Sequence, residues 1–211
     1  MKEHFLLDPD VIFLNHGSFG ASPKPVFKAY QDWQLELERQ PVEFLGRRAN
    51  ALLEDARIIL ADYLHCQADE VVYATNPTTA INLIVRSLPL QPGDEILTTD
   101  HEYGAMDRTW RFVCKSTGAV YRQQPIPLPV TTPEDFIETF WAGVTPKTKI
   151  IFLSQITSPT ALIFPVEQIC QRARQAGILT IVDGAHAPGQ IPLDLTALGA
   201  DFYTGACHKW L

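Results

Sequence analysis

The chain has 211 residues, 46 % of them hydrophobic and 19 % charged, with a net charge of -7. That is the make-up of a globular domain with a real core, and it shows no basic patch of the kind nucleic acid requires. No apolar run approaches the roughly 20 residues of a membrane span.

The opening MKEHFLLDPD carries acids and lacks a long apolar centre, so it does not read as a secretory signal. Cys66, Cys114, Cys170 and Cys207 are scattered and form no CxxC pair. They read as reduced thiols of a cytoplasmic protein rather than a zinc knuckle or a disulfide framework.

Val11–Leu14 leads into a glycine-rich loop, Asn15-His16-Gly17-Ser18-Phe19-Gly20-Ala21-Ser22-Pro23. Such a loop brings backbone close to a ligand, or is a plain surface turn before a helix. Pro25 to Gln40 reads as a helix with proline near its start. From Arg47, the apolar residues Ala49, Leu52, Leu53, Ala56, Ile59, Leu60 and Tyr63 recur at three- and four-residue steps, predicting an amphipathic helix.

Val71–Thr75 reads as a strand. Asn76-Pro77-Thr78-Thr79 then opens a helix running to Ser87, with proline where a missing N–H costs nothing. Free amides behind Pro77, with the hydroxyls of Thr78 and Thr79, form an anion site; ordinary capping by Thr78 is the competing reading. It is not a Walker loop, because no GxxxxGK is present.

Glu95–Thr99 is the next strand, ending on Asp100-His101-Glu102-Tyr103. Consecutive acids and histidine rarely converge on one ion, so no metal is assigned. An aromatic at a strand end can instead stack on a flat ring. A helix over 105–115, a strand over 119–125, a proline-rich loop over 125–133 and a helix over 133–141 come next. Lys149–Leu153 is a continuous apolar strand of the buried parallel kind, leading to Ser154–Thr160. A helix over 165–175 is stopped by Gly177. Leu179–Val182 runs into Asp183, and Asp201–Thr204 leads through Gly205 to Cys207-His208-Lys209-Trp210.

Strands alternate with helices throughout, so about six strands should form a mostly parallel sheet with right-handed crossovers. Ligands of such sheets sit outside the carboxyl ends of the strands. Asp183, His186 and Lys209 should therefore project into one crevice. There an acid can pair with a pyridine nitrogen and a lysine can capture an aldehyde.

DGAHAPGQIPLD followed by DFYTGACHKW, with FLNHGSFGASP near the start, resembles the pyridoxal-phosphate (PLP) site of class V aminotransferase-fold enzymes. The isopenicillin-N-epimerase-like branch is the nearest in pattern. The resemblance implies fold type I: a three-layer αβα sandwich with a mostly parallel sheet, the PLP-transferase large domain. Residues 1–24 would form an N-terminal arm bordering the active site, with Asn15, His16 and Gly17 towards the substrate. Residues 25–211 would be the large domain, cut short after the lysine and without the C-terminal small domain.

By the same resemblance Pro77, Thr78 and Thr79 hold the PLP phosphate, with His208 near it. Tyr103 stacks on the ring where many relatives carry histidine, and Ser158 stands where many carry an asparagine that bonds the ring hydroxyl. Asp183 pairs with the ring nitrogen, and His186 reaches the ring hydroxyl. Lys209 binds the aldehyde covalently and shuttles the α-proton, Ala206 lacks a polar phosphate contact common in relatives, and Cys207 is a bystander.

The implied function is a PLP enzyme acting at the α-carbon of an amino acid or related amine, cytoplasmic and homodimeric in its full-length form. Epimerisation, transamination and C–S cleavage all fit, cysteine desulfurase or C–S lyase being the alternative chemistry. A truncated remnant without turnover is the third reading, because the arginine that binds the substrate carboxylate would lie after Leu211.

Overall fold

The computed structural model describes residues 2–211. Contacts divide them into two units, one comprising the segment up to Val72 together with His208–Leu211, the other Tyr73–Cys207.

In the first unit, helix α1 spans Lys24–Arg39 with proline in its first turn, and α2 spans Ala49–Leu64. Both lie where the sequence places them. A pairing of Arg48 with Glu36 joins the start of α2 to α1. The buried residues of α2 are Ala61 and Leu64. Its expected apolar face is only partly covered: Leu52 and Leu60 are half-buried, while Leu53 is 52 % and Ile59 72 % exposed. Helical spacing marks a face that favours a partner, but does not place that partner within the same unit.

The second unit is built on a five-stranded sheet in the order β2-β1-β3-β4-β5. The strands are β1 (Glu95–Thr99), β2 (Val120–Gln124), β3 (Thr148–Ser154), β4 (Leu179–Gly184) and β5 (Phe202–Gly205). Every pairing is parallel. Helices α3 (Pro77–Ser87), α4 (Gly104–Thr117), α5 (Pro133–Trp141) and α6 (Val166–Gln175) provide the outer layers. Among the described residues Val71–Thr75 is not a strand, so the sheet has five members rather than about six. A strand exists only where a neighbouring backbone accepts its hydrogen bonds, and β-propensity does not supply that neighbour.

Alternation along the strands sorts the core by face. Ile96, Ile150, Phe152 and Ile181 pack against Ile81 and Val85 of α3 and Met106, Trp110 and Val113 of α4. Leu97, Ile151, Leu153 and Val182 pack on the opposite side against Phe136 and Phe140 of α5 and Ile169 and Ala173 of α6. The result is the αβα sandwich that the resemblance implies. With this strand order, the chain leaves β1 on the α4 side and β3 on the α6 side. The carboxyl ends of β1 and β3 are thus the topological switch point, where α/β sheets open a crevice.

Candidate active site

Asp183 lies inside β4, paired in register with Ser154 of β3, and with Thr204 of β5 on its other side. Two residues on from Ile181 in the same strand, it points to the α3/α4 face, and its register partners share that face. Asp183 is 5 % exposed. Its Oδ1 accepts the Ala185 N–H at 3.0 Å, and its backbone carbonyl accepts the Gln155 N–H at 2.9 Å. The Tyr203 hydroxyl donates to Gln155 Oε1 at 2.6 Å. A Cβ on Gly184 would overlap the Tyr203 hydroxyl, so glycine is required there. The Asp183 backbone is thus braced from the α5/α6 side, and its carboxylate is presented on the other. Beside it, the buried Thr204 Oγ1 has no hydrogen-bond partner among the described residues.

Glu102, weighed in the sequence only as a metal ligand, turns out to be part of this region. One carboxyl oxygen accepts the Ser154 N–H at 2.9 Å and the Ser154 hydroxyl at 2.6 Å. The other accepts the Thr99 hydroxyl at 2.7 Å. Burial pushes the Glu102 carboxyl up to about 7; hydrogen bonds from Ser154 and Thr99 pull it down, and the Asp183 charge adds to the rise. Its neighbours in sequence go elsewhere. Asp100 Oδ1 accepts the Ile126 N–H at 2.9 Å. The buried His101 ring sits with Nε2 2.9 Å from the Ile126 carbonyl, to which it donates in the matching tautomer.

Tyr103 is half exposed and begins α4, its carbonyl accepting from the N–H groups of Met106 and Asp107. At α3 the cap is Asn76, not Thr78: Asn76 Oδ1 accepts the Thr79 N–H at 2.8 Å. Pro77 has no N–H, and the Ala80 N–H goes to the Asn76 carbonyl. Of the first-turn donors, the Thr78 amide and the two threonine hydroxyls are what an anion could use without displacing Asn76. Asn82 ties this turn to α4, donating to the Thr78 carbonyl at 2.9 Å and to Thr109 Oγ1 at 3.1 Å. Ser158 lies exposed between Ile156 and Ile163, which pair with each other. His186 is half-buried in the turn after β4, its carbonyl accepting from Gln190.

His208 and Lys209 belong to the first unit, in the helical turn Cys207–Trp210 that comes after β5. Asn15 and the helical turn His16–Phe19, where the sequence reads as a loop, are in that unit too. The His16 ring lies against Trp210 with centroids 5.8 Å apart, and the Ala21 N–H donates to His16 Nδ1 at 3.3 Å. A Cβ on Gly20, whose φ is +67°, would collide with the His208 carbonyl. The arm therefore packs on the turn that carries Lys209. No group of three or more histidine, cysteine or acidic side chains converges as a metal site among the described residues.

A family model described as Aminotransferase class-V matches residues 13–211. The chain belongs to that family. Among curated relatives, it is 40 % identical to isopenicillin N epimerase of Amycolatopsis lactamdurans, over all of this chain and 53 % of the relative. It is 32 % identical to the L-cysteine desulfhydrase-like protein lolT1 of Epichloe uncinata, over all of this chain and 48 % of that protein. The chain thus spans about half the length of the curated relatives it matches. In fold it resembles a C-DES mutant with glycine covalently linked to the PLP cofactor, with a TM-score of 0.91 and 24 % identity, over all of this chain and 56 % of that one.

Pyridoxal 5'-phosphate is the cofactor to which the family points. The residues present suit it. A buried acid, Asp183, lies at the end of β4, and beside it is the buried Thr204 hydroxyl, without a partner among the described residues. The first turn of α3 offers an amide and two hydroxyls for a phosphate.

Proposed function

We propose that this chain carries the cofactor site of a PLP-dependent enzyme acting at the α-carbon of an amino acid, in the manner of the epimerase-like branch. The observation that carries the reading is Asp183: a buried carboxylate in register between Ser154 and Thr204, on a strand end braced by Gln155 and Tyr203. When bound, PLP supplies a sink for the electron pair left at the substrate's α-carbon. Asp183 holds a proton on the ring nitrogen by ion pairing. Thr78 and Thr79 bind the phosphate at the start of α3, with His208 beside it. Tyr103 presents a ring face for stacking, and His186 and Ser158 bind the ring hydroxyl. Lys209 anchors the cofactor covalently and carries the α-proton. Asn15, His16 and Gly17 border the substrate. The order of these motifs along the chain and the family match support the assignments.

Free Cys66, Cys114, Cys170 and Cys207 support a reducing, cytoplasmic setting. The partly open apolar face of α2 supports a homodimer; sedimentation that found monomer alone would remove that part.

The test is exchange of the α-deuterium of bound amino acids, monitored by mass spectrometry in wild-type protein and in Asp183→Ala. The substitution should slow exchange by about a hundredfold or more. Unchanged exchange would make Asp183 structural. The 32 % identity to a cysteine desulfhydrase-like protein favours a second reading, C–S cleavage. Sulfide release from L-cysteine outpacing epimerisation of any amino acid would select it.

A further inference from the structure

We propose that Glu102 is a positioning residue for the cofactor ring: it fastens the loop bearing Tyr103 to the carboxyl end of β3, and so sets where the Tyr103 ring stands relative to the Ser154–Asp183–Thr204 row. The inference rests on the PLP reading above and on Tyr103 as the stacking residue.

Three observations support it. The first is placement. Glu102 lies just past β1, yet two of its hydrogen bonds cross to Ser154 of β3, 52 residues away in the chain. It thus bridges the two strands whose connections diverge at the switch point, where nothing in the sheet ladder holds the outgoing loops together.

The second is chemistry. A buried carboxyl costs free energy that an apolar side chain of similar size would not. Glu102 is 9 % exposed and both its oxygens are engaged by Thr99 and Ser154. Mere filling would need no carboxyl. Holding a backbone N–H and two hydroxyls in one geometry does.

The third is the freedom of the adjacent ring. Tyr103 has no hydrogen bond to its hydroxyl among the described residues, and its own side chain does not cap α4. The ring is half exposed. Its position is therefore set by its backbone, and Glu102, its immediate chain neighbour, ties that backbone to β3, while Asp100 and His101 tie the start of the loop to Ile126. Ser154 is also the register partner of Asp183. One carboxyl thus relates a ring-face residue to the strand that presents the ring-nitrogen acid.

The experiment is a double-mutant cycle on cofactor affinity, measured by equilibrium dialysis of PLP, with the induced circular dichroism of the bound cofactor as a report on ring orientation. Glu102→Ala should weaken PLP binding about tenfold and alter the induced signal, whereas in a Tyr103→Ala background it should cost less than about twofold. Glu102→Gln keeps an acceptor for Ser154 and a donor for Thr99, and should stay within about threefold of wild type with an unchanged signal. Should Glu102→Ala fail to fold, Ser154→Ala, which removes one donor to the same oxygen, carries the cycle at about threefold. Equal losses with and without Tyr103, no loss at all, or glutamine as damaging as alanine would each overturn the inference. A wild-type protein that binds no PLP would instead overturn the functional reading beneath it.

Discussion

Glu102 keeps a carboxyl group where solvent does not reach, and its titration is legible in the protein's stability. Its pKa rises from the ordinary 4.5 to about 7 on folding, chiefly through burial. Between those values the folded protein holds a proton that the unfolded chain has released. Its contribution is therefore complete below about 4.5 and is lost as pH rises through about 7, amounting to ~3 kcal/mol across the window. Urea denaturation at pH 5 and pH 8 should show that loss in the wild type and a flatter profile in Glu102→Gln. Parallel profiles would mean that Glu102 titrates as an ordinary surface acid. None of this can be read from DHEY as a string. The run shows three polar side chains in succession, and only the chain's turn after β1 sends them to three destinations: Ile126 N–H, Ile126 carbonyl and Ser154. The place of Asp183 at the end of a buried strand was legible, because it closes an unbroken apolar run. Thr204 was not, since a threonine in a strand is ordinary until its hydroxyl proves to be buried without one.

At the scale of elements, the caps and braces around the site give further predictions. Asn76 closes the first turn of α3 through the Thr79 N–H. Asn76→Ala should cost about 1 kcal/mol of stability by thermal denaturation, the usual loss for an N-cap; an equal loss from Thr78→Ala with none from Asn76→Ala would restore Thr78 as the cap. Gly184 leaves room for Tyr203 to reach Gln155. Gly184→Ala should destabilise by about 1–3 kcal/mol through overpacking and displace the Asp183 backbone; an unshifted melting temperature would show that the Tyr203 ring swings aside freely. The helices and most strands were foreseeable from periodicity and punctuation, because Pro77, Pro133 and Gly177 mark their ends. Val71–Thr75 was not, because composition reports strand preference while pairing depends on a neighbour. The partly open face of α2 has the same origin: spacing shows that the helix has an apolar side, and nothing in the spacing says what lies against it.

For the molecule as a whole, the five parallel strands, the two apolar faces and the class-V match agree. Alternation of βα units was enough to predict a mostly parallel sheet, and the ordered motifs were enough to suggest the family and, through that resemblance, the sandwich. What they could not supply was the relation between residues distant in sequence: that Ser154, Asp183 and Thr204 form one row, that Glu102 joins β1 to β3, and that the Asn15–Gly20 arm packs on the turn carrying His208 and Lys209. Those relations depend on strand register and loop direction, which local pattern does not encode. Covalent attachment of PLP at Lys209 can be read by incubating the protein with PLP, reducing it with borohydride and mapping the modified peptide by mass spectrometry. The protein should turn yellow and carry the reduced adduct on Lys209; an adduct on Lys147 or Lys149, or on no lysine at all, would rule that attachment out.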